Sequence, residues 1–165
     1  MSASDTLYSL GWRPFFQSQV EADSRLRPAR VMHVHRGSIE VAHEAGNDKV
    51  TLAGKAVGLG ITVGDWVLLD PEAPLVRRRL ERQVLFQRRA AGTSGELQRI
   101  AANVDTLFLV TSANRDFNLA RLERYLAIAN EAGAFPVVVI TKADLADDAG
   151  DFVRTAGGLG PGILV

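Results

Sequence analysis

The stretch from Phe135 to Leu145, F-P-V-V-V-I-T-K-A-D-L, constrains the fold more than any other part of the chain. A short, unbroken, valine-rich run predicts a strand buried on both faces. It ends at once in Thr-Lys-Ala-Asp, which puts a cation and a carboxylate, Lys142 and Asp144, at the strand's carboxyl end. Ligands of open α/β sheets bind at that end. A carboxylate accepts hydrogen bonds, two at a time, and donates none. Guanine presents two adjacent donors, its ring N–H and its exocyclic amine, whereas adenine presents an acceptor and no amine there. Asp144 therefore suits guanine, with the aliphatic stem of Lys142 along the base plane and Thr141 holding the turn. Taken alone, a Lys-x-Asp after a strand more often describes a solvated turn whose Asp caps the next helix.

The preceding residues build a unit around this strand. Val104–Thr111, V-D-T-L-F-L-V-T, reads as a second buried strand. Asn118–Ala132 sets Leu119, Leu122, Leu126 and Ala129 on one helical face, with Asn118 as N-cap and Gly133 as C-terminal cap. Asp116 and Asn118 read as turn and cap, not as an acid pair. Strand, helix, strand with short joints predicts a βαβ unit with parallel strands and a right-handed crossover. A further helix is expected over 147–156, and G-P-G-I-L-V opens a third strand.

The front of the chain has another period. Residues 1–28 read as an N-terminal arm, in which Leu7, Leu10 and Phe15 pack down and Pro14 stops any longer helix. Short strands follow: Ala29–Arg36, one around Ile39 and Val41, one around Val50 and Leu52, Gly64–Asp70 with Trp66 as an anchor, and one or two between Leu75 and Phe86. About five short strands with glycine corners over 29–89 predict a small all-β barrel of OB type. The small, polar Ala90–Gly95 predicts a linker over 90–100. Residues 101–165 form the partial nucleotide domain.

The chain has no cysteine. That excludes disulfides, thiolate zinc sites and cysteine nucleophiles, and makes a reducing cytoplasm the default location. No apolar run approaches the ~20 residues that span a bilayer, and the start lacks a secretory pattern. The formal charge is zero, yet residues 1–99 hold 14 Lys and Arg against 11 Asp and Glu, and residues 100–165 hold 5 against 8. Arginines crowd positions 77, 78, 79, 82, 88, 89 and 99. Such a patch points to an anionic partner, and Arg77, Arg78, Arg79, Arg88 and Arg89 are candidates for RNA phosphate contacts, the rival reading being solvated strand charge. Trp66 and Phe86 read as core side chains before base-stacking ones. His33 and His35 share a strand face, but no third ligand accompanies them and no metal site is expected. No Ser/His/Asp spacing suggests a catalytic set, so the catalytic residue stays unknown.

With these elements in place, the chain resembles the ribosome small-subunit-dependent GTPase A family, a circularly permuted group of GTPases. The residues that carry the likeness are R-R-A-A-G-T-S-G-E-L-Q-R-I-A-A-N-V-D-T-L-F-L-V (88–110), D-F-N-L-A-R-L-E-R-Y-L (116–126) and V-V-V-I-T-K-A-D-L (137–145). V-G-D-W-V (63–67) fits the family's N-terminal barrel. The resemblance implies a barrel followed by an incomplete α/β P-loop-GTPase-like unit, in which the guanine motif precedes the phosphate loop. It implies that Thr141, Lys142 and Asp144 contact the base, although many GTPases have Asn where Thr141 stands. It further implies GTP hydrolysis with Mg²⁺ in the full-length protein, a role in maturation of the small ribosomal subunit, and rRNA binding through the barrel. No G-x-x-x-x-G-K-[ST] occurs in the 165 residues. The phosphate loop, the switches and the family's zinc-binding C-terminal domain are expected beyond Val165, with this chain the N-terminal part. Phosphates supply most of the binding energy of a nucleotide. The isolated chain is therefore expected to be inactive, to bind GTP weakly, and to self-associate through an exposed apolar sheet edge. The alternative reading is a non-enzymatic OB-fold RNA-binding module whose βαβ appendage is structural.

Overall fold

Five antiparallel strands organise the first half of the computed structural model, which describes residues 3–21, 24–89 and 97–165. They are β1 (Arg27–His35), β2 (Ser38–His43), β3 (Gly46–Thr51), β4 (Trp66–Leu69) and β5 (Val76–Arg79), in the order β3-β2-β1-β4-β5. β1 pairs with β4 over Arg27–Arg30 and with β2 over Arg30–His35. Its register slips between Val31 and His33, a bulge that leaves Met32 unpaired and breaks the regular alternation expected for this strand. Gly37 makes the turn into β2 at φ 82°, a backbone that glycine adopts freely. Ala29, Val31, Ile39, Val41, Val50 and Val67 point into one core, joined by Leu69, Val76 and Ala56.

The expected closed barrel is not present among the described residues. β3 and β5 are free edges of an open sheet. A 3₁₀ turn, Gly54–Leu59, packs against β5, where Arg79 Nε donates to the Leu59 carbonyl at 3.1 Å. Its Ala56 contributes to the core in place of a β3–β5 ladder.

The N-terminal arm is integral to this unit. Helix α1 (Ala3–Ser9) ends before left-handed Gly11, and Pro14 opens a short α2 (Pro14–Gln17). Trp12 and Phe16 are buried against Trp66, Leu68 and Leu80, while Leu7, Leu10 and Phe15 only flank that cluster. Trp12 meets Trp66 edge-on at 4.7 Å between ring centroids. Trp66 is fully buried and Phe86 nearly so, which makes both core side chains.

Strands β6 (Leu85–Arg89) and β7 (Leu97–Ala102) form an antiparallel hairpin. The linker expected over 90–100 thus gives way at its end, since 97–100 are strand; residues 90–96 lie outside the described ones. The chain divides into the compact units Met1–Asn103 and Val104–Val165. β7 stays with the first because the Ala102 N–H donates to the Val63 carbonyl and the Asn103 N–H to the Val84 carbonyl, both at 2.8 Å.

The second unit is the expected βαβ. β8 (Thr106–Ser112) and β9 (Phe135–Thr141) are parallel, in register from Thr106↔Phe135 to Ser112↔Thr141. Between them runs α3 (Leu119–Ala132), whose first turn is capped by the Asn118 side chain accepting from the Arg121 N–H, and which ends on left-handed Gly133. Helix α4 (Ala149–Gly157) follows with Asp148 as N-cap. Leu164 makes an isolated parallel bridge to Val137, where the sequence predicts the opening of a third strand. Leu109, Leu122, Leu126, Val138 and Ala156 make the core, so both helices cover the same sheet face. Partners in a parallel ladder point the same way, and the other face carries Phe108 and Val110, 63% and 65% exposed. The strands are buried on one face, not on both as their composition suggests.

Candidate functional site

The site is built at the carboxyl ends of β8 and β9. Thr141 is the last residue of β9, and Lys142 follows at φ 58°, ψ 31°, in the left-handed region. A side chain there clashes with the backbone, so the position needs support from its surroundings. A 3₁₀ turn, Ala143–Leu145, comes next, with the Leu145 N–H donating to the Lys142 carbonyl at 3.1 Å. Lys142, Asp144 and Leu145 all face solvent. Thr141 is tied inward: its hydroxyl donates to the Thr111 carbonyl, and its own carbonyl accepts from the Ala113 N–H, both at 2.9 Å. The β8–α3 loop is ordered by Asn114, whose Oδ1 accepts from the Ser112 hydroxyl and from the Asp116 N–H, each at 2.9 Å.

The sequence-derived residues thus lie on one turn, and Thr141, Lys142 and Asp144 are all exposed. Lys142 and Asp144 project outward and Thr141 is bonded to β8. A groove of about 470 Å³ lies beside Thr141 and Lys142, bordered also by Thr111, Asp116, Arg121 and Tyr125. A larger open cleft of about 1150 Å³ runs past Asn114, Phe117, Leu145, Asp148, Asp151 and Phe152, and Asp144 does not line it. Its acidic wall is engaged by its own helix: Asp148 accepts from the Gly150 N–H at 2.8 Å, and Arg154 pairs with both Asp148 and Asp151. Asp151, and after it Asp148, raise the Arg154 guanidinium above its ordinary value.

In the first unit the candidate arginines divide. Arg77 pairs with Asp70 at 2.6 Å. The Glu72 N–H, and next Arg77, hold the Asp70 carboxyl below the ordinary aspartate value. Arg78 donates to the Gln19 carbonyl, and Arg88 Nε to Gln98 Oε1 at 3.1 Å. Arg79 turns inward onto the Leu59 and Leu80 carbonyls, and burial, then Arg82, lowers its pKa. The Arg89 side chain lies outside the described residues.

Sequence reasoning missed the most buried ion pair among the described residues. Asp65 is fully buried, and both its oxygens bind Arg82, at 2.7 Å and 2.8 Å. Asp65 Oδ2 also accepts from the Thr62 N–H at 2.8 Å, and Arg82 donates to the Gly60 carbonyl at 2.7 Å. The available signal was the acid set between Gly64 and Trp66, since a buried carboxylate requires a partner. His33 and His35 stack at 6.4 Å, and His35 Nε2 lies 2.9 Å from Glu40; among the described residues no three ligands gather to hold a metal.

A sequence model described as RsgA GTPase matches residues 79–157, from the end of β5 through α4. Over 159 residues, 96% of this chain, the sequence is 49% identical to the small ribosomal subunit biogenesis GTPase RsgA of Mesorhizobium japonicum. The chain belongs to the RsgA GTPase family. A second RsgA relative, from Vibrio parahaemolyticus, is 44% identical over 167 residues and matches 100% of the chain. The chain spans about half the length of these relatives, 46% of each. The crystal structure of YjeQ from Thermotoga maritima aligns with a TM-score of 0.60 at 25% identity, over 81% of this chain and 47% of that one. The structure titled YloQ, a circularly permuted GTPase, shares the fold with a TM-score of 0.56 at 24% identity, over 84% and 48%. The RsgA family assignment agrees with the resemblance carried by residues 88–110, 116–126 and 137–145.

Proposed function

We propose that this chain is the front part of a GTP hydrolase of small ribosomal subunit biogenesis, and that the turn Thr141–Leu145 is its guanine-selecting element. The observation that carries this reading is the outward carboxylate of Asp144 on a turn braced at the carboxyl end of a parallel strand. Asp144 receives the two guanine donors, and the Lys142 stem covers the base. The chain contains no G-x-x-x-x-G-K-[ST], the pattern of a loop that cradles phosphates. By itself it binds guanine nucleotides weakly and does not hydrolyse them. GTP with Mg²⁺ is the ligand of the whole protein, and zinc belongs to a C-terminal domain outside these residues.

Residues 29–89 are read as an OB-like sheet left open between β3 and β5. The order β3-β2-β1-β4-β5, with side chains from all five strands in one core, supports this reading. Its exposed arginines, Arg77, Arg78 and Arg88, contact rRNA phosphates of the small subunit, a cytoplasmic partner, while Arg79 serves the interior. No described helix is long and apolar enough to cross a membrane. The bare sheet face at Phe108 and Val110 supports self-association of the chain.

Titration of the chain with GDP, inosine diphosphate and ADP, followed by the amide resonances of residues 141–145, tests the base site. GDP is expected to shift these signals at the lowest concentration, with the inosine nucleotide weaker because it lacks the amine. Equal responses to GDP and ADP refute the reading. RNA binding should weaken steeply with salt, and an affinity for small-subunit RNA indifferent to salt refutes the arginine contacts.

A further inference from the structure

We propose that Thr141 serves guanine recognition by position and not by contact, and that Asn114 is the residue that sets the support on which Thr141 hangs. The inference rests on the guanine-site reading and assigns roles within it. A threonine hydroxyl carries one proton, and that of Thr141 is bonded to the Thr111 carbonyl at 2.9 Å. Guanine O6 is an acceptor and needs a donor, which this hydroxyl no longer offers. Thr141 is instead held to the end of β8 by its hydroxyl and by the ladder that pairs it with Ser112, in which its carbonyl accepts from the Ala113 N–H.

The next residue shows why the hold matters. Lys142 occupies the left-handed region, which non-glycine residues keep only where the surroundings over-determine it. Glycine would adopt that backbone without strain but would remove the stem that covers the base. Fixing Thr141 fixes the entry into the turn, so that Lys142 and Asp144 project together. The direction of the Ala113 N–H depends in turn on the β8–α3 loop, closed by the two hydrogen bonds to Asn114 Oδ1 at 2.9 Å. Position passes from Asn114 through Ala113 to Thr141, and from there to Lys142 and Asp144.

Three variants of the full 165-residue chain test this. Thr141→Val keeps the shape and removes the hydroxyl, Thr141→Ser keeps the hydroxyl, and Asn114→Ala removes the loop bond. Two readouts are taken: the ratio of GDP to ADP dissociation constants by NMR titration, and the Cα and Cβ shifts of Lys142, which report its backbone without any ligand. Loss of one hydrogen bond is expected to lower the GDP preference about fivefold in Thr141→Val. Its Lys142 shifts should move away from left-handed values, Thr141→Ser should restore both readouts, and Asn114→Ala should move them in the Thr141→Val direction. Lys142 shifts unchanged in Thr141→Val overturn the inference, whether or not nucleotide binds. A GDP preference kept in Thr141→Val overturns it as well. Wild-type chain with no GDP preference refutes the guanine-site reading instead, and the Lys142 shifts then decide the positional claim alone.

Discussion

The buried pair Asp65–Arg82 gives the sharpest stability prediction. Asp65 has no exposed surface and the Arg82 side chain is 11% exposed, so replacing either partner leaves the other buried without its ion-pair partner. Removing one member of such a pair costs about 3–5 kcal/mol. Asp65→Leu also strips the acceptor from the Thr62 N–H, and Arg82→Met strips the donor from the Gly60 carbonyl. The double variant removes both charges and leaves only those two backbone groups, at about 1–3 kcal/mol for each buried unpaired group. Its cost should therefore fall short of the summed single costs by about 2–3 kcal/mol or more, a coupling that a double-mutant cycle reads directly. The assay is urea unfolding followed by tryptophan fluorescence. The chain has 2 tryptophans, Trp12 and Trp66, and both lie in the first unit's core, so the signal reports that unit alone. Additive single costs, or a single cost below about 1 kcal/mol, would refute the reasoning, because that result requires water to reach the pair.

Three further outcomes are expected. Gly64 has φ +85°, and a Cβ there would lie 2.0 Å from the Ala102 carbonyl oxygen, so Gly64→Ala should destabilise the first unit by about 3 kcal/mol or more in the same fluorescence assay; Gly37→Ala, with open space around it, should cost only the backbone strain of about 1–2 kcal/mol. The lowered Asp70 pKa means that the folded state binds fewer protons there, so its contribution is complete above the ordinary aspartate value of about 3.9 and is lost as pH falls through the lower folded value. Asp70→Asn should thus shift the unfolding midpoint at neutral pH and not in strong acid, and an equal shift at both would refute the pairing with Arg77 and the Glu72 N–H. Asn118→Ala removes the cap on the Arg121 N–H and should lower the stability of the second unit by about 1 kcal/mol, read by helical circular dichroism on heating; an unchanged melt would refute the cap.

Local chemistry was legible and long-range chemistry was not. The βαβ unit, the Asn118 and Gly133 caps and the turn after β9 each follow from residues adjacent in sequence, where period and capping act. The turn's outward residues were legible for the same reason. The inward bond of Thr141 was not, because its acceptor lies 30 residues back in the neighbouring strand. Asp65 and Arg82 are 17 residues apart, with no spacing rule to join them. The β6–β7 hairpin was obscured by the small polar residues inside it, which read as a linker. The arginines read as one basic patch because their partners, Asp70, the Gln19 carbonyl and the Leu59 carbonyl, come from three different segments. Burial on one face of β8 and β9 was hidden for a different reason. Composition reports how apolar a strand is, and the number of layers laid on it depends on where the helices cross.

That one-sided sheet carries a thermal signature. Phe108 and Val110 leave apolar surface in contact with solvent on the uncovered face, and any surface that closes over them removes it from water. Such a closure lowers the heat capacity, so its strength changes with temperature and fades on cooling. Any association through this face should therefore loosen in the cold room and tighten at ambient temperature.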